Sequence, residues 1–191
     1  MLLVSIGGWI AIGVVAILIV ALVALVINVY NKMVKGRNRC KDAFSQIDVQ
    51  LTRRFDLIPN LVETVKGYAK HESETLEKVI KARNNYASAK NEAEKLEASK
   101  EMSRGVMNIM ALAENYPDLK ANTNFIDLQN QLKEVEEKIS YARQFYNDSV
   151  LMYNNKIEMF PSNLVASIFG FKRESFFEAD EKERENVKVK F

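Results

Sequence analysis

No charged residue precedes Lys32, and residues 6–27 read IGGWIAIGVVAILIVALVALVI, 22 positions without a charge. At a rise of about 1.5 Å per residue this is about 33 Å of helix, enough to cross a hydrocarbon core. The rest of the chain carries all 27 Lys and Arg and all 25 Asp and Glu, so the two parts suit different solvents. A secretory signal peptide would bring a basic flank, a shorter apolar run and a small-x-small cleavage site. The flank MLLVS has no Lys or Arg, and no such site follows the run. Residues 1–31 are therefore expected to be a retained transmembrane anchor, with Trp9 and Tyr30 near its two interfaces, where amphipathic rings sit. Gly7 and Ala11 form a small-xxx-small pair, for which the general enrichment of Gly in membrane helices is the simpler account than helix pairing.

Five basic residues, Lys32, Lys35, Arg37, Arg39 and Lys41, precede the first acid, Asp42. Such an excess beside a span marks its cytoplasmic side, so residues 32–43 read as a basic juxtamembrane segment, with the N-terminus outside and the long remainder in the cytoplasm. Each of these charges could add about 1 kcal/mol of attraction to anionic lipid, although setting topology is their simplest role. A net charge of +2 over 191 residues lacks the basic excess of a nucleic-acid-binding surface, and no nucleic-acid partner is expected. A single cysteine, Cys40, excludes an intrachain disulfide framework and a multi-cysteine zinc site.

Beyond the anchor the apolar residues keep helical time. Phe44, Ile47, Leu51, Phe55, Ile58, Val62, Val65 and Ala69 alternate steps of three and four. Only Gly36 separates this stripe from the anchor, which predicts near-continuity, and Pro59 inside the stripe predicts a kink at residues 55–58. A thinner stripe follows: Leu76, Val79, Arg83, Tyr86, Ala89, Ala93, Leu96, Ser103, Val106 and Met110. The charge-dense residues 90–101 that dilute it suit either a solvated helix face or a break. Tyr116-Pro117-Asp118 ends that helix, since proline disfavours helical geometry in the residue before it. Asn124 is then expected to cap a helix with Asp127 in its first turn. Its stripe is Phe125, Leu128, Leu132, Val135, Ile139, Ala142, Tyr146, Ser149, Tyr153 and Ile157.

Phe160-Pro161-Ser162 stops the long helix, and Ser162 is expected to cap the short apolar stretch NLVASIFGF. That stretch is too short to cross a bilayer and would close one end of a bundle or rest on a membrane surface, docking being the commoner fate. A charged tail, residues 172–191, ends in VKVKF and suits disorder or a partner contact. Only three Pro and seven Gly are present, which favours helix throughout. Long helices with one stripe each and short turns predict an all-α fold, an N-terminal transmembrane helix followed by an antiparallel up-and-down, four-helix-type bundle over residues 44–171.

Motifs that carry chemistry are missing. His71-Glu72 lacks a second histidine four residues on, where Thr75 stands, and a lone histidine cannot furnish a di-iron site. Glu72, Glu74 and Glu77 read as a solvated face. There is no nucleophile elbow, P-loop or dinucleotide fingerprint. Cys40, among basic residues, could have a lowered thiol pKa or accept palmitate, but a bystander cysteine is the plainer reading. No enzyme activity, catalytic residue, cofactor or metal is expected.

What stands out instead is polar residues set in apolar helix. Arg54 lies on or beside an inward stripe, where an unpaired charge would cost several kcal/mol. Its partner should be a carboxylate: Asp118 or Glu114 near the turn, or an acid of the long last helix. Arg53, Asp56 and Asn60 flank it, and together with Tyr116 and Asp118 they form either an internal network or a protein-binding surface. Arg143 and the pairs Tyr146-Asn147 and Tyr153-Asn154 form a second such set. Repetition at seven residues turns both pairs the same way, to set register or to meet a partner.

The stretch Ile47-Asp48-Val49-Gln50-Leu51, Arg53-Arg54, Asp56-Leu57-Ile58-Pro59-Asn60-Leu61-Val62, with Val65, Tyr68 and His71-Glu72, resembles the signature of the LemA family of bacterial membrane proteins. So do residues 113–122, reading AENYPDLKAN, and the later Ala142-Arg143, Tyr146-Asn147 and Tyr153-Asn154. The resemblance covers roughly residues 30–171 and implies an N-terminal anchor and an up-and-down bundle in the bacterial inner membrane. It implies no activity and carries over no catalytic residues. The function expected is a non-enzymatic, single-pass anchored bundle that self-associates into a scaffold or envelope-organising assembly, its partners being the bilayer and its own copies. The alternative is an adaptor or regulator of a membrane protein such as a protease or sensor.

Overall fold

A computed structural model describes residues 6–69, 71–90 and 92–177. Residues 178–191, with the terminal VKVKF, lie outside the described residues. The chain is all-helical, with α1 at Ile6–Lys66, α2 at Ser73–Ser88, α3 at Glu92–Ala113, α4 at Pro117–Lys120, α5 at Thr123–Glu158 and α6 at Ser162–Phe169. It divides into two compact units, one of Met1–Phe44 with Arg143–Phe191, the other of Ser45–Ala142. Helices α1 and α5 contribute residues to both.

Gly36 does not interrupt α1, which continues from the apolar segment to Lys66. No residue in the most apolar window of α1 is buried, as suits a candidate membrane anchor. Pro59 does not end α1 either.

In the unit of Ser45–Ala142, α1, α2, α3 and α5 pack around Ile47, Leu51, Ile58, Leu61, Val79, Met102, Ile109, Leu132, Val135 and Ile139. Contacts fix the helix directions. Asp48 meets Tyr86 while Phe55 meets Arg83, so α1 and α2 are antiparallel. Asp48 meets Lys95 while Arg54 meets Ser103, so α1 and α3 run together. Tyr68 meets Asn122 while Arg54 meets Glu136, so α1 and α5 are antiparallel. This is up-and-down order. Helices α2 and α3 approach closely at Gly105, where an added Cβ would lie 2.8 Å from Val79 Cγ2.

Residues 90–101 hold both of the alternatives, a break and a helix, since α2 stops at Ser88 and α3 begins at Glu92. Three local expectations are corrected. The inward stripe of α3 is Ala98, Met102, Ile109 and Ala113, while Ser103, Val106 and Met110 are only half-buried. Both rows obey helical spacing, and the tight contact at Gly105 selects the first. Helix α5 is capped by Asn122, whose Oδ1 accepts from the Phe125 amide at 3.0 Å, not by Asn124. The helix starts at Thr123, two residues before the first residue of the apolar stripe. Ser162 does not cap α6: its hydroxyl donates backward to the Met159 carbonyl at 2.8 Å.

In the other unit, Met33, Cys40, Val150, Tyr153, Ile157, Val165 and Ala166 form a core, with Val26, Val29, Tyr146 and Phe171 packed against it. Helix α6 ends at Gly170, whose φ of +68° is left-handed. The Phe171 amide reaches back to the Ala166 carbonyl at 3.0 Å and the Gly170 amide to that of Ser167, a Schellman closure that satisfies two orphan carbonyls. This reversal launches residues 171–177, which have no regular secondary structure.

Candidate functional site

Two polar constellations are built into the fold, one in each unit. In the unit of Ser45–Ala142 the centre is Arg54, 1% exposed. Its Nη1 donates to Glu136 Oε2 at 2.8 Å and to Ser103 Oγ at 2.5 Å. Its Nη2 donates to the Ser99 carbonyl at 3.0 Å and to the Ser99 hydroxyl. The acid that meets Arg54 thus comes from the long helix α5, while Glu114 pairs with Lys120. Burying a guanidinium is tolerable only when it is paired and hydrogen-bonded, and the two small serines of α3 give it both room and acceptors. One guanidinium so ties α1, α3 and α5 together.

Around this hub, Arg53 pairs loosely with Glu134 at 3.8 Å on the surface. Glu134 also accepts from Lys138, which with Arg53 holds its carboxyl below the usual carboxylate range. Asp56 and Asn60 are exposed. Asp48 accepts from the Tyr86 hydroxyl at 3.2 Å and from Lys95 at 2.9 Å, and burial pushes the Tyr86 phenol upward. Arg83 lies with its guanidinium carbon 4.0 Å from the centre of the Phe55 ring, and its Nε donates to the Phe55 carbonyl at 3.4 Å. Tyr116 donates to Glu72 at 3.2 Å, and Asp118 sits exposed in the first turn of α4. The candidate residues of this unit thus separate into a buried hub, an exposed row on α1 and a turn.

In the other unit, the two Tyr-Asn pairs of α5 grip residues 171–177 by their backbone. Tyr153 and Tyr146 donate to the carbonyls of Lys172 and Ser175 at 3.0 and 2.9 Å. Asn154 donates to the Glu174 carbonyl at 2.9 Å and accepts from the Glu174 amide at 3.0 Å. Asn147 does the same with Phe177, at 3.0 and 2.8 Å. Seven residues of α-helix advance about 10.5 Å, and three residues of extended chain reach about 10 Å. Stepping seven along α5 therefore matches stepping three along the strap, which must be nearly fully extended to make both bonds. Arg143 closes the row, its guanidinium carbon 4.5 Å from the centre of the Phe177 ring.

Cys40 is 2% exposed in the core of this unit. Basic neighbours on α1 suggested a lowered thiol pKa, but burial, reinforced by the charge of Glu174, pushes it above the ordinary value. Among the described residues, no three His, Cys, Asp or Glu side chains gather to hold a metal ion.

The arrangement is one of fixation. The hub neutralises a buried charge and sets the register of three helices, and the clasp holds main chain, with the buried Phe177 ring packed under Arg143. Ser99, Ser103 and Glu136 were missed from the sequence, where serines and surface acids carry no distinguishing signal. Arg83 gave a signal, a cation standing at an inward position of its stripe.

Residues 43–191 match the family model described as LemA family. Protein LemA of Metamycoplasma hominis is 28% identical over 160 residues, covering 82% of this chain and 72% of the relative. Magnetosome protein MamQ 2 of Paramagnetospirillum magneticum is 34% identical over 70 residues, and Magnetosome protein MamQ of Magnetospirillum gryphiswaldense is 32% identical over 69. These two matches cover 37% and 36% of the chain but only 26% and 25% of the magnetosome proteins.

Proposed function

Because the chain belongs to the LemA family, we propose that it is a non-enzymatic, membrane-anchored helical protein that self-associates into a scaffold on the bacterial inner membrane. One observation carries this reading. Among the described residues, the buried polar side chains Arg54, Ser99 and Asn154 make hydrogen bonds that hold helices or strap together, and Ser149 donates to the Phe145 carbonyl within α5. Polar groups used this way stabilise a shape rather than face a substrate. The exposed Leu151 and Met152 of α5 offer apolar surface to another copy. The test is mass measurement of the full-length protein in mild detergent across a range of concentrations. A multiple of the 21.8 kDa chain is expected, and a monodisperse monomer throughout would sink the scaffold.

An adaptor role is the second reading, favoured by the exposed row Arg53, Asp56 and Asn60 on α1. Crosslinking in native membranes that recovers a second protein, and loses it on Asp56→Ala, would favour it over self-association. Under either reading the excess of five basic residues after the anchor supports a cytoplasmic location for the helices. Protease added outside intact cells should then leave them intact, and digestion would reverse the orientation.

A further inference from the structure

Helix α6 buries one side and exposes another. Val165 and Ala166 pack into the core of their unit. Leu164 and Ile168, four residues apart and so on one face, are 56% and 77% exposed. Phe160 in the preceding turn and Phe169 at the helix end extend this face, 79% and 51% exposed. Helix α6 carries no charge at all. A surface helix in water would turn polar residues outward, and this one turns its largest apolar ones.

Its position explains what those side chains meet. The Tyr30 ring lies 4.9 Å from that of Phe169 and 5.5 Å from that of Phe171, centre to centre. Tyr30 stands three residues past Ile27, the end of the apolar segment, about 4.5 Å further along the helix axis. Helix α6 is thus level with the end of the candidate anchor, the depth at which hydrocarbon gives way to head groups and aromatic rings settle. Positive charge collects at the same end: Lys32, Lys35 and Arg37 on α1, and Lys172 and Arg173 directly after α6. Arg37 lies with its guanidinium carbon 5.4 Å from the Phe171 ring centre, and Arg173 is paired with Glu158 at 2.9 Å. Apolar side chains at the hydrocarbon boundary, with cations one turn further out, match the two layers of an anionic leaflet.

We propose that α6 is a second membrane contact, its Leu164–Ile168 face, with Phe160 and Phe169, immersed in the acyl–headgroup boundary of an anionic bilayer beside the anchor. The assignment rests on reading residues 6–27 of α1 as a membrane span. A lone span can rotate about its own axis, whereas a span with a wedge on one side has a fixed orientation.

The chain has one tryptophan, Trp9, in the anchor, which separates the two readings. The full-length protein is reconstituted in phosphatidylcholine–phosphatidylglycerol vesicles whose lipid is brominated near either the glycerol end or the methyl end of its chains. The unaltered protein reports the anchor through Trp9. A Trp9→Phe background carrying Ile168→Trp, or separately Leu164→Trp, reports α6; both positions are exposed, so neither probe disturbs packing. The expected result is blue-shifted probe emission, with roughly half of it quenched by glycerol-end bromines and less by methyl-end bromines, as for a helix about 5–10 Å deep. Quenched Trp9 with water-like, unquenched probes would overturn the α6 assignment and leave the anchor standing. A blue-shifted probe quenched by neither lipid would overturn it in favour of cover by a second copy. Unquenched Trp9 with the chain left in solution would remove the anchor and the α6 contact together.

Discussion

The carbonyl of Phe55 accepts a hydrogen bond from Nε of Arg83 at 3.4 Å. Four residues on stands Pro59, which has no amide to offer that carbonyl, so α2 supplies the donor that α1 lacks. The same guanidinium covers the Phe55 ring, adding a cation–π contact. A proline that would weaken an isolated helix is in this way answered by its neighbour, and α1 continues to Lys66.

This pairing predicts coupling between two positions. Arg83→Met should cost about 1 kcal/mol, the scale of one net hydrogen bond. In a Pro59→Ala background the restored amide serves Phe55, so the same change should cost less. Urea unfolding of the four variants of this cycle measures the difference, and equal costs in both backgrounds would refute the exchange of donors.

Arg54 and Glu136 should respond unequally to mutation. Arg54→Ala removes the shared partner of Ser99, Ser103 and Glu136 and leaves a cavity, an expected loss of about 3–5 kcal/mol. The Glu136 side chain is 51% exposed. Water and the two serines therefore soften Glu136→Gln, for which about 1 kcal/mol is expected. Thermal unfolding of the two variants ranks them, and the reverse order would contradict the hub.

Gly105→Ala should destabilise although alanine is the better helix former by about 1 kcal/mol. The new Cβ would stand 2.8 Å from Val79 Cγ2, on a β-branched side chain with little rotamer freedom. A lower unfolding midpoint is expected, recovered by Val79→Ala in the same chain.

The clasp can be read by hydrogen exchange. Asn154→Ala should speed exchange of the Glu174 amide and Asn147→Ala that of Phe177, because each asparagine is the acceptor for that amide. Unchanged rates in both variants would mean that the strap is held by something else.

Cys40 sets a pH dependence. Burial raises its thiol pKa above the ordinary 9.0, so the folded state favours the protonated form more than the unfolded state does. The resulting stability is complete below that ordinary value and is lost as pH rises through the folded value. Folded protein should therefore alkylate much more slowly than urea-unfolded protein at mildly alkaline pH, and Cys40→Ala should lose less stability between neutral and alkaline pH than the parent.

The stripes of α1 and α5 were legible because large aliphatic and aromatic residues recur at three and four over long stretches, and nearly all of them are buried. The division between α2 and α3 was not. Alanine, serine and glycine line the inward face of α3, and such small residues give little contrast between inside and outside. The Tyr-Asn pairs were visible as a repeat, yet their target was not, because main-chain amides and carbonyls are present at every residue and leave no mark in a sequence. Asn122 was passed over as a cap for Asn124, two residues apart with the same chemistry.

The strap and α5 share a length standard. Because three steps of extended chain equal seven of helix, one residue inserted at 148–153 would advance the helix by about 1.5 Å and swing Asn147 about 100° around it relative to Asn154. One residue inserted at 175–176 would instead shift the strap by about 3.4 Å and turn its next amide to the opposite side. Neither error can absorb the other. Substitutions at the exposed Lys172, Arg173, Ser175 and Phe176 keep the hydrogen bonds of the clasp, since these are made to main-chain atoms, but changes in length undo them, so these positions are constrained in spacing far more than in composition.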